Sequence, residues 1–302
     1  MAVTVSFINF KGGVGKTTLS VEVAASLYKK FNSRVLMIDL DPQSNCTLYW
    51  LNENDWEKHI NARRTLLSFF EACLHDKPFN LDSIVVNPTR FSQYPWYEKF
   101  DLEKNRGIKL IPSDIELFGI DFKLAQRFGF ENLRAQTFLK NALQSLDSQY
   151  DFIFIDCPPN LYLATQNGLF ASQYYVIIAM SEYLSTLGIA YIQSSIESLF
   201  NSANSINNIT GYNFPNPQLA GIIFNKVRYM SGGTQSQKDF MSRMRNRYPE
   251  QIFDNYVSLS ERIAQRPAQS EPIALSDYAV DRHYANQIHA VAEEFYDRIT
   301  RP

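Results

Sequence analysis

The feature that most constrains this chain is a glycine-rich loop that joins a strand pattern to a helix pattern near the N-terminus. Residues 3–10 are rich in β-branched and aromatic side chains, as strands are, whereas Leu19, Val23 and Leu27 recur at helical spacing. The connecting loop reads Lys11-Gly12-Gly13-Val14-Gly15-Lys16-Thr17-Thr18. A strand, a glycine loop and a helix in this order indicate a turn whose backbone N–H groups surround a phosphate.

The loop departs from the common phosphate-binding pattern G-x-x-x-x-G-K-[ST] in its first half. Gly15, Lys16 and Thr17 fit the end of the pattern, but Phe10 occupies the position of its first glycine. The glycines still allow N–H groups to turn inward, and a helix that starts near Lys16 adds its positive end. We expect Lys16 to contact the β- and γ-phosphates of a nucleotide and the Thr17 hydroxyl to hold Mg²⁺. A glycine turn that binds nothing is the alternative.

Five further apolar runs predict the rest of a sheet. They lie at residues 35–38, 108–111, 152–155, 175–179 and 221–224, and helix-length segments separate most of them. Short, fully apolar strands that alternate with helices indicate an α/β fold with a doubly wound, mostly parallel sheet flanked by helices. Ligands of such sheets lie at the carboxyl ends of the strands.

Acidic residues follow two of these runs directly. Asp39 and Asp41 come after the second strand, and Asp156 comes after the fourth. A carboxylate at such a strand end supports Mg²⁺, usually through water, which is the role expected of Asp156. We expect Asp39 to orient or deprotonate an attacking water, and Asp41 to sense the γ-phosphate through the metal. Helix capping or loop solvation is the alternative for each.

Composition limits the compartment and the partners. Of the 302 residues, 45% are hydrophobic and 20% charged, and the net charge of −2 means that binding to nucleic acid or an anionic membrane requires a local patch. Cys46, Cys73 and Cys157 have no paired spacing, so we expect free thiols in a reducing compartment. No apolar stretch approaches the ~20 residues of a membrane span, and no signal segment precedes the first strand. These features predict a cytoplasmic protein.

One segment does not fit the alternating pattern. Residues 87–107 are crowded with aromatic residues and prolines among charges, which indicates a long ordered loop inserted into a single domain that spans residues 1–302. Such a loop is either functional or packed onto its own domain, and packing is the favoured interpretation.

Three stretches together resemble the ParA/MinD group of deviant Walker ATPases, and most of all the ParA and Soj partition proteins. They are the loop from Lys11 to Thr18, then Ile38-Asp39-Leu40-Asp41-Pro42-Gln43, then Tyr150-Asp151 through Asp156-Cys157-Pro158-Pro159. Shorter segments that are similar to the same group are Pro112-Ser113, Phe224-Asn225-Lys226, Val257-Ser258-Leu259-Ser260-Glu261 and Glu271-Pro272-Ile273. The chain departs from the group in the length of its aromatic segment and in Arg262-Ile263-Ala264, where the group commonly has Ala-Pro-Ser.

The resemblance implies a P-loop ATPase with ATP and Mg²⁺ as cofactors. It implies an ATP-dependent sandwich homodimer in which Lys11 crosses to the partner subunit's phosphates, with catalytic roles for Lys11, Lys16 and Asp39 and metal ligation by Thr17, Asp41 and Asp156. The residues it assigns to ATP are Lys11, Gly12, Gly13, Val14, Gly15, Lys16, Thr17, Thr18 and, as a reader of adenine, Asn225. It further implies weak ATP hydrolysis that a separate ParB-like or adaptor protein stimulates.

Several functions share such an ATPase core. A MinD-like membrane ATPase would end in a basic amphipathic segment, whereas here an apolar stripe lies beside acidic residues and favours packing on the domain; the stripe is Tyr284, Ile288, Val291, Phe295 and Ile299. An iron–sulfur reductase would use two bridging cysteines per subunit, and Cys157 is more typical of a buried residue. A biosynthetic amidoligase of the cobyrinate type stays open, although no glutaminase segment can be recognised.

A DNA-associated partition ATPase is favoured by a basic rim around an apolar helix face. Phe240, Met241, Met244 and Tyr248 share one face at helical spacing, and arginines and a lysine flank it. No helix-turn-helix domain precedes Lys11, so we expect contacts with the DNA backbone, no operator recognition, and a nucleoid-associated protein without a stable membrane anchor. The candidate DNA-binding residues are Lys226, Arg228, Lys238, Arg243, Arg245, Arg247, Arg262 and Arg266. Solvated surface charge is the alternative for each of them.

Overall fold

The computed structural model describes residues 1–94, 96–97, 107–129, 132–181, 183–207, 214–228, 235–269 and 271–301. Side chains are described for the same residues except 183–187, 206–207, 235–238 and 267–269. The strands of this part of the chain are β1 (Val3–Ile8), β2 (Val35–Asp39), β3 (Ile108–Ile111), β4 (Phe152–Asp156), β5 (Tyr174–Met180) and β6 (Gln218–Asn225). They form one parallel sheet in the order β3-β2-β4-β1-β5-β6, which confirms the predicted fold class.

Helices separate most of the strands. They are α1 (Lys16–Phe31), α2 (Asn45–Trp50), α3 (Glu53–Asn61), α4 (Leu66–Leu74), α5 (Ile120–Phe128), α6 (Leu133–Gln136), α7 (Phe138–Leu143), α8 (Leu163–Ala171), α9 (Tyr183–Asn207), α10 (Gln235–Arg247), α11 (Glu261–Gln269) and α12 (Arg282–Thr300). Short 3₁₀ turns lie at Leu81–Ile84, Ile115–Gly119 and Ile273–Leu275.

Both faces of the sheet are buried, which explains why its strands are mostly apolar. The polar exceptions Thr4, Ser6 and Lys109 are buried as well. On β5, Val176 and Ile178 join the cluster that α1 and α12 cover, whereas Tyr175, Ile177 and Ala179 join the cluster that α9 and α10 cover. Side chains on a strand alternate between faces, so one short run contributes to two hydrophobic cores. At the other end of the sheet, β2 and β3 pack against α4, α5 and α8 through a third cluster.

The apolar stripe of α12 packs on the domain, as predicted. Ile288, Val291 and Phe295 are fully buried, and the Phe295 ring lies 5.4 Å from the ring of Phe154, centroid to centroid, in an edge-on arrangement. An apolar helix face that is already covered by its own sheet is not available to a lipid surface.

The described part of the aromatic segment also packs on the domain. Phe91 is 1% exposed, and its ring makes edge-on contacts with Tyr49 and Trp50 of α2. The Trp96 indole N–H donates to the Glu271 carboxylate. The packing interpretation is therefore confirmed for these residues, while residues 95 and 98–106 lie outside the described part of the chain.

Glu22 is a buried acid that joins three parts of the fold. Its carboxylate accepts hydrogen bonds from the N–H groups of Ile273 and Ala274, each 2.9 Å long, and from the Tyr49 hydroxyl at 3.0 Å. Burial nevertheless raises the pKa of Glu22 from 4.5 to about 7, against the opposing effect of these donors and of nearby Arg266. These contacts give a structural reason for the family-like segment Glu271-Pro272-Ile273, because hydrogen bonds to Glu22 hold this segment against α1.

Glu22 is expected to make the protein less stable as the pH rises from about 4.5 to 7. In that window the unfolded chain has released the proton that the folded chain still holds, so the free energy of unfolding falls by up to about 1 kcal/mol per pH unit. Urea unfolding of the parent and of Glu22→Gln at several pH values measures this effect, because the difference between them removes the other titrating groups. Glu57→Gln, at an exposed position of α3, is the control. A parent-minus-variant difference that stays flat between pH 5 and 7 would contradict the assignment.

Candidate functional site

The predicted phosphate loop lies between β1 and α1, and a buried amide anchors its first residues. Asn9 donates from Nδ2 to the Ile178 carbonyl of β5 at 2.6 Å and accepts the backbone N–H of Lys11 at 2.7 Å. Asn9 is 6% exposed, whereas Lys11 is exposed. The backbone at Lys11 is thus fixed to the centre of the sheet while the residue itself faces outward.

Two glycines give the loop its turn. Gly13 has φ 75° and Gly15 has φ 88°, a region that residues with a Cβ adopt at a cost. Gly15 is also the N-cap of α1, and it supplies no side-chain acceptor to the helix. The first N–H groups of α1 therefore remain available at the positive end of a 16-residue helix, as an anion site requires.

Two residues at the end of β6 and just after it hold the loop through its carbonyl groups. Asn225 donates from Nδ2 to the Val14 carbonyl at 2.9 Å, and Lys226 donates from Nζ to the Gly13 carbonyl at 2.6 Å. Asn225 is 5% exposed. Asn225 therefore contacts the loop, and its expected role as a reader of adenine stays a prediction. Lys226, which the sequence placed among the DNA candidates, also lies against the phosphate loop.

Thr17 and Asp156 meet at the start of α1. The Thr17 hydroxyl donates to Oδ2 of Asp156 at 2.5 Å, and Lys16 is 7% exposed beside them. Oδ1 of Asp156 is buried and has no hydrogen-bond partner among the described residues. Burial raises the pKa of Asp156 to about 7, although the Thr17 hydroxyl and the Lys16 ammonium lower it. A hydroxyl next to a carboxylate oxygen without a donor fits the donor set that Mg²⁺ prefers.

Asp39 lies beside Asp156 because the strands that carry them pair in register. Its Oδ2 accepts the N–H and the hydroxyl of Thr47, each at 2.8 Å, and its Oδ1 accepts the N–H of Asp41 at 3.1 Å. Burial and the charge of Asp156 together raise the pKa of Asp39 well above its ordinary value. Asp39 therefore links the end of β2 to α2, and Asp41 turns back to accept the N–H of Gln43 at 2.9 Å.

Gly13, Lys16, Thr17 and Asp41 border one open cavity of about 830 Å³, whereas Asp39 and Asp156 are not among the described residues that line it. Most residues of its phosphate side were predicted from the sequence, whereas Arg90, which donates to the Leu48 carbonyl, was not. Arg90 comes from the aromatic segment, and only the unusual composition of that segment pointed to it. The residues lining the cavity are Gly12, Gly13, Gly15, Lys16, Thr17, Thr18, Asp41, Gln43, Asn45, Leu48, Tyr49, Leu51, Asn52, Glu53, Asn54, Arg90, Pro159 and Lys226.

The basic rim of α10 is observed in part. Met244 is buried and Arg243 and Arg247 are exposed, in agreement with the predicted pattern. Arg245 is half-buried and donates to the Asp254 carbonyl at 2.9 Å, which turns it toward its own domain. The side chain of Lys238 lies outside the described residues.

Arg266 was predicted to be part of a DNA-binding surface, and the structure does not place it there. It is 8% exposed and forms an ion pair with Asp281, whose carboxylate is completely buried. A guanidinium enclosed in this way holds α11 against the start of α12 and cannot reach a DNA phosphate. Arg262 is half-exposed with Nη1 3.5 Å from Asp281, and Arg228 is exposed. The spacing of Arg262 and Arg266 on one helix face did not reveal their partner Asp281, which lies fifteen residues after Arg266.

The described part of the chain contains neither a cluster of metal-binding side chains nor a membrane-spanning helix. No group of three or more His, Cys, Asp or Glu residues in the described ranges is arranged to hold a metal ion. No described helix has both the length and the apolar character needed to span a membrane.

Comparison with known proteins defines the family. A model described as an AAA domain matches residues 2–209, which is more than half of the chain. The chain belongs to this AAA-domain family. It is 27% identical over 269 residues to the chromosome partitioning protein ParA of Myxococcus xanthus, covering 89% of this chain and 80% of that protein. Together the two matches confirm the resemblance to ParA/MinD-type ATPases.

Solved structures confirm the fold. An ATP complex of McdA from Cyanothece has a TM-score of 0.69 and 18% identity and covers 99% of this chain and 96% of that chain. Cobyrinic acid a,c-diamide synthase from Mycobacterium smegmatis, bound to an ATP analogue and magnesium, has a TM-score of 0.68 and 22% identity, with coverage of 100% and 97%. Proteins with different functions thus share this architecture, so the fold does not choose between their functions.

Gly15→Ala is expected to destabilise the protein by about 1–3 kcal/mol. A Cβ at this position would lie 2.3 Å from Nδ2 of Asn225, on a backbone with φ 88°, so the phosphate loop and Asn225 must both shift. Gly12→Ala is the matched control, because its Cβ meets no atom within 4 Å. The free energy of unfolding in urea measures both variants, and equal values for the two would contradict the close packing of Asn225 on the loop.

Proposed function

We propose that this protein is an ATP-dependent, dimerising ATPase that binds DNA without sequence preference and segregates or positions a plasmid, chromosome or protein cargo. The observation that carries the proposal is the convergence of Lys16, Thr17 and Asp156 at the phosphate loop, with Oδ1 of Asp156 buried and without a donor among the described residues. Such an arrangement fits a Mg²⁺-nucleotide. The similarity to ParA of Myxococcus xanthus supports the partition role.

Nucleotide binding is assigned to the phosphate loop and to Lys16. The N–H groups of residues 12–18 and the positive end of α1 bind the phosphates, and Lys16 neutralises them from its buried position. Thr17 would ligate Mg²⁺ directly, while Asp156 and Asp41 would act through its bound water. The metal, when bound, neutralises charge on the β- and γ-phosphates.

Hydrolysis is assigned to Asp39. Among the described residues, its Oδ1 accepts only the N–H of Asp41 at 3.1 Å, so this oxygen has a lone pair left for a water. Thr47 fixes the other oxygen with two hydrogen bonds, which sets the direction of the carboxylate. The hydrolysis expected is weak and is stimulated by a separate ParB-like or adaptor protein, as in the family that the chain resembles.

Dimerisation is assigned to Lys11. It is exposed, its backbone is fixed by Asn9, and it is not among the described residues that line the cavity of its own subunit. An ammonium held at the rim of a phosphate site is well placed to reach the phosphates of a second copy. At about 4 Å such a contact is worth roughly 4 kcal/mol at an effective dielectric of 20, before desolvation.

Lys11→Ala and Lys16→Ala are expected to fail at different steps. Lys11→Ala should bind Mg-ATP and stay monomeric, because only the contact with the partner is removed. Lys16→Ala should lose Mg-ATP binding, because its own subunit's phosphate contact is removed. Calorimetry measures ATP binding and light scattering measures mass. The dimer assignment is wrong if Lys11→Ala dimerises with ATP as the parent does, and the site assignment is wrong if Lys16→Ala keeps the parent's affinity.

DNA binding is assigned to the exposed arginines that follow β6. Arg243 and Arg247 point outward from α10, and Arg228 and Arg262 are further exposed candidates. One subunit offers few phosphate contacts, but two subunits joined by ATP double that number and make the second contact intramolecular. The apolar face of α12 is buried, which favours this function over the membrane-associated alternative.

The DNA affinity of the ATP-loaded protein should fall steeply with salt. If the dimer neutralises about six phosphates, the loss is about a thousandfold between about 50 and 200 mM salt, with little dependence on DNA sequence. Replacing Arg243 and Arg247 with Glu should flatten this slope. A control of equal charge change replaces Lys77 and Lys123 with Glu, since both are exposed beyond the opposite end of the sheet. Fluorescence anisotropy with labelled duplex DNA measures the slope.

Two results would change the proposal. ATP-loaded protein that does not bind DNA at low salt would refute the partition role and favour a biosynthetic ATPase, a function class in which cobyrinic acid a,c-diamide synthase has the same fold. An unchanged slope in the Arg243 and Arg247 variant would keep DNA binding and move its surface to Arg228 and Arg262.

A further inference from the structure

We infer that an exposed apolar surface beside the nucleotide cavity is the surface that a second copy of this chain covers when ATP is bound. The inference rests on the proposed function, and it names the place where the second copy docks. The surface, which we call the α5–α8 patch, consists of Ile115, Phe118, Phe122 and Tyr162. Their exposed fractions are 58%, 65%, 71% and 57%.

The segment that carries three of these residues has two apolar sides. Leu117, Ile120 and Leu124 are buried in the cluster that α4 and α8 cover, and they anchor the segment to its domain. Phe118 and Phe122 lie four residues apart, so they share a second side, which is open to solvent. A single exposed apolar residue is ordinary, whereas neighbouring exposed aromatic residues mark an interaction site.

Tyr162 belongs to the patch because α5 is bonded to the start of α8. The Asp121 carboxylate accepts the N–H of Ala164 at 2.8 Å. Phe122 follows Asp121 directly, and Tyr162 lies two residues before Ala164 as the N-cap of α8. The exposed aromatic residues of the two helices therefore lie at one junction.

The patch adjoins the nucleotide cavity at two places. Asp41 and Pro159 both line the cavity. The Asp41 carbonyl accepts the Ser113 hydroxyl at 2.8 Å, and Ile115 follows Ser113 by two residues, while Tyr162 follows Pro159 by three. All of them come after the carboxyl ends of β2, β3 and β4. The patch is therefore continuous with the proposed dimer face.

The patch supplies apolar area that a lysine contact lacks. A stable interface buries about 800 Å² on each partner and is rich in aromatic side chains at its core. A Phe or Tyr side chain buries about 150–250 Å², so Phe118, Phe122 and Tyr162 offer roughly 300–450 Å², which is about half of one side of such an interface. In a two-fold dimer both copies bury the same surface, so this area is removed from water twice.

The double variant Phe118→Ser with Phe122→Ser tests the docking of a second copy. Its dimer should be weaker by about a hundredfold or more, because each dimer loses four aromatic side chains from its interface. Sedimentation velocity with Mg²⁺ and a slowly hydrolysed ATP analogue measures the dissociation of the dimer. Urea unfolding shows that the variant is folded at the temperature of the measurement.

The matched control is Tyr278→Ser with Val280→Ser. Both residues are 60% exposed. They lie at the end of α1 far from the phosphate loop, because the neighbouring Asp277 forms an ion pair at 3.3 Å with Lys29 in the last turn of that helix. This control loses similar exposed apolar area and should dimerise as the parent does.

Two further measurements separate docking from nucleotide binding. Lys11→Ala is expected to bind Mg-ATP as a monomer, and adding the two serine substitutions to it should leave its ATP affinity in calorimetry unchanged. Hydroxyl-radical footprinting follows the patch in proteins without these substitutions. With the analogue, oxidation of Phe118, Phe122 and Tyr162 should fall in the parent and not in Lys11→Ala, while Tyr278 stays reactive in both.

The other outcomes each overturn the inference in a distinguishable way. A double variant that dimerises as the parent does refutes the docking surface and leaves the proposed function in place. Equal protection of the patch in monomeric Lys11→Ala means that the subunit's own segments cover it. Lost ATP affinity in the Lys11→Ala background assigns the patch to the nucleotide site. A parent that stays monomeric with the analogue refutes the proposed dimer as well. If the double variant is unfolded, footprinting of the parent decides.

Discussion

The parallel pairing of β2 with β4 places two carboxylates side by side in the interior, and the rest of the site is built around them. Asp39 and Asp156 are in register and fully buried, so each disfavours ionisation of the other. Thr47 donates twice to Asp39, while Thr17 and Lys16 face Asp156. Such an arrangement costs free energy in an isolated subunit, and proteins keep such clusters where a cation or a reacting group uses them.

The sheet could be predicted from the sequence because every strand is buried on both faces. A continuous apolar run of four to seven residues then marks a strand without the need to know its neighbours. The strand order and the register could not be predicted in this way, since they depend on how the helices pack between the strands. The pairing of Asp39 with Asp156 follows from that register, and no local pattern of the chain contains it.

Basic residues were the least predictable part, because a charge in the sequence does not reveal its partner. Lys226 and Arg266 were both predicted as DNA-binding candidates, but the Lys226 ammonium donates to the carbonyl of Gly13 and Arg266 is enclosed with Asp281. Glu22 shows the converse, since an acid within α1 gives no sign that it receives the N–H groups of Ile273 and Ala274. Exposed positions such as Arg243 and Arg247 were predicted correctly because the apolar stripe beside them fixes which side of α10 is buried.

All three tryptophans of the chain lie in the sector around α2. Trp50 is its last residue and is fully buried, Trp56 donates to the Ser113 carbonyl at 3.0 Å, and Trp96 donates to Glu271. The same helix holds Asp39 through Thr47. The tryptophan fluorescence of the protein therefore originates next to the connection between β2 and α2. A movement of α2 is expected to change this fluorescence, so that it can be followed without an added label.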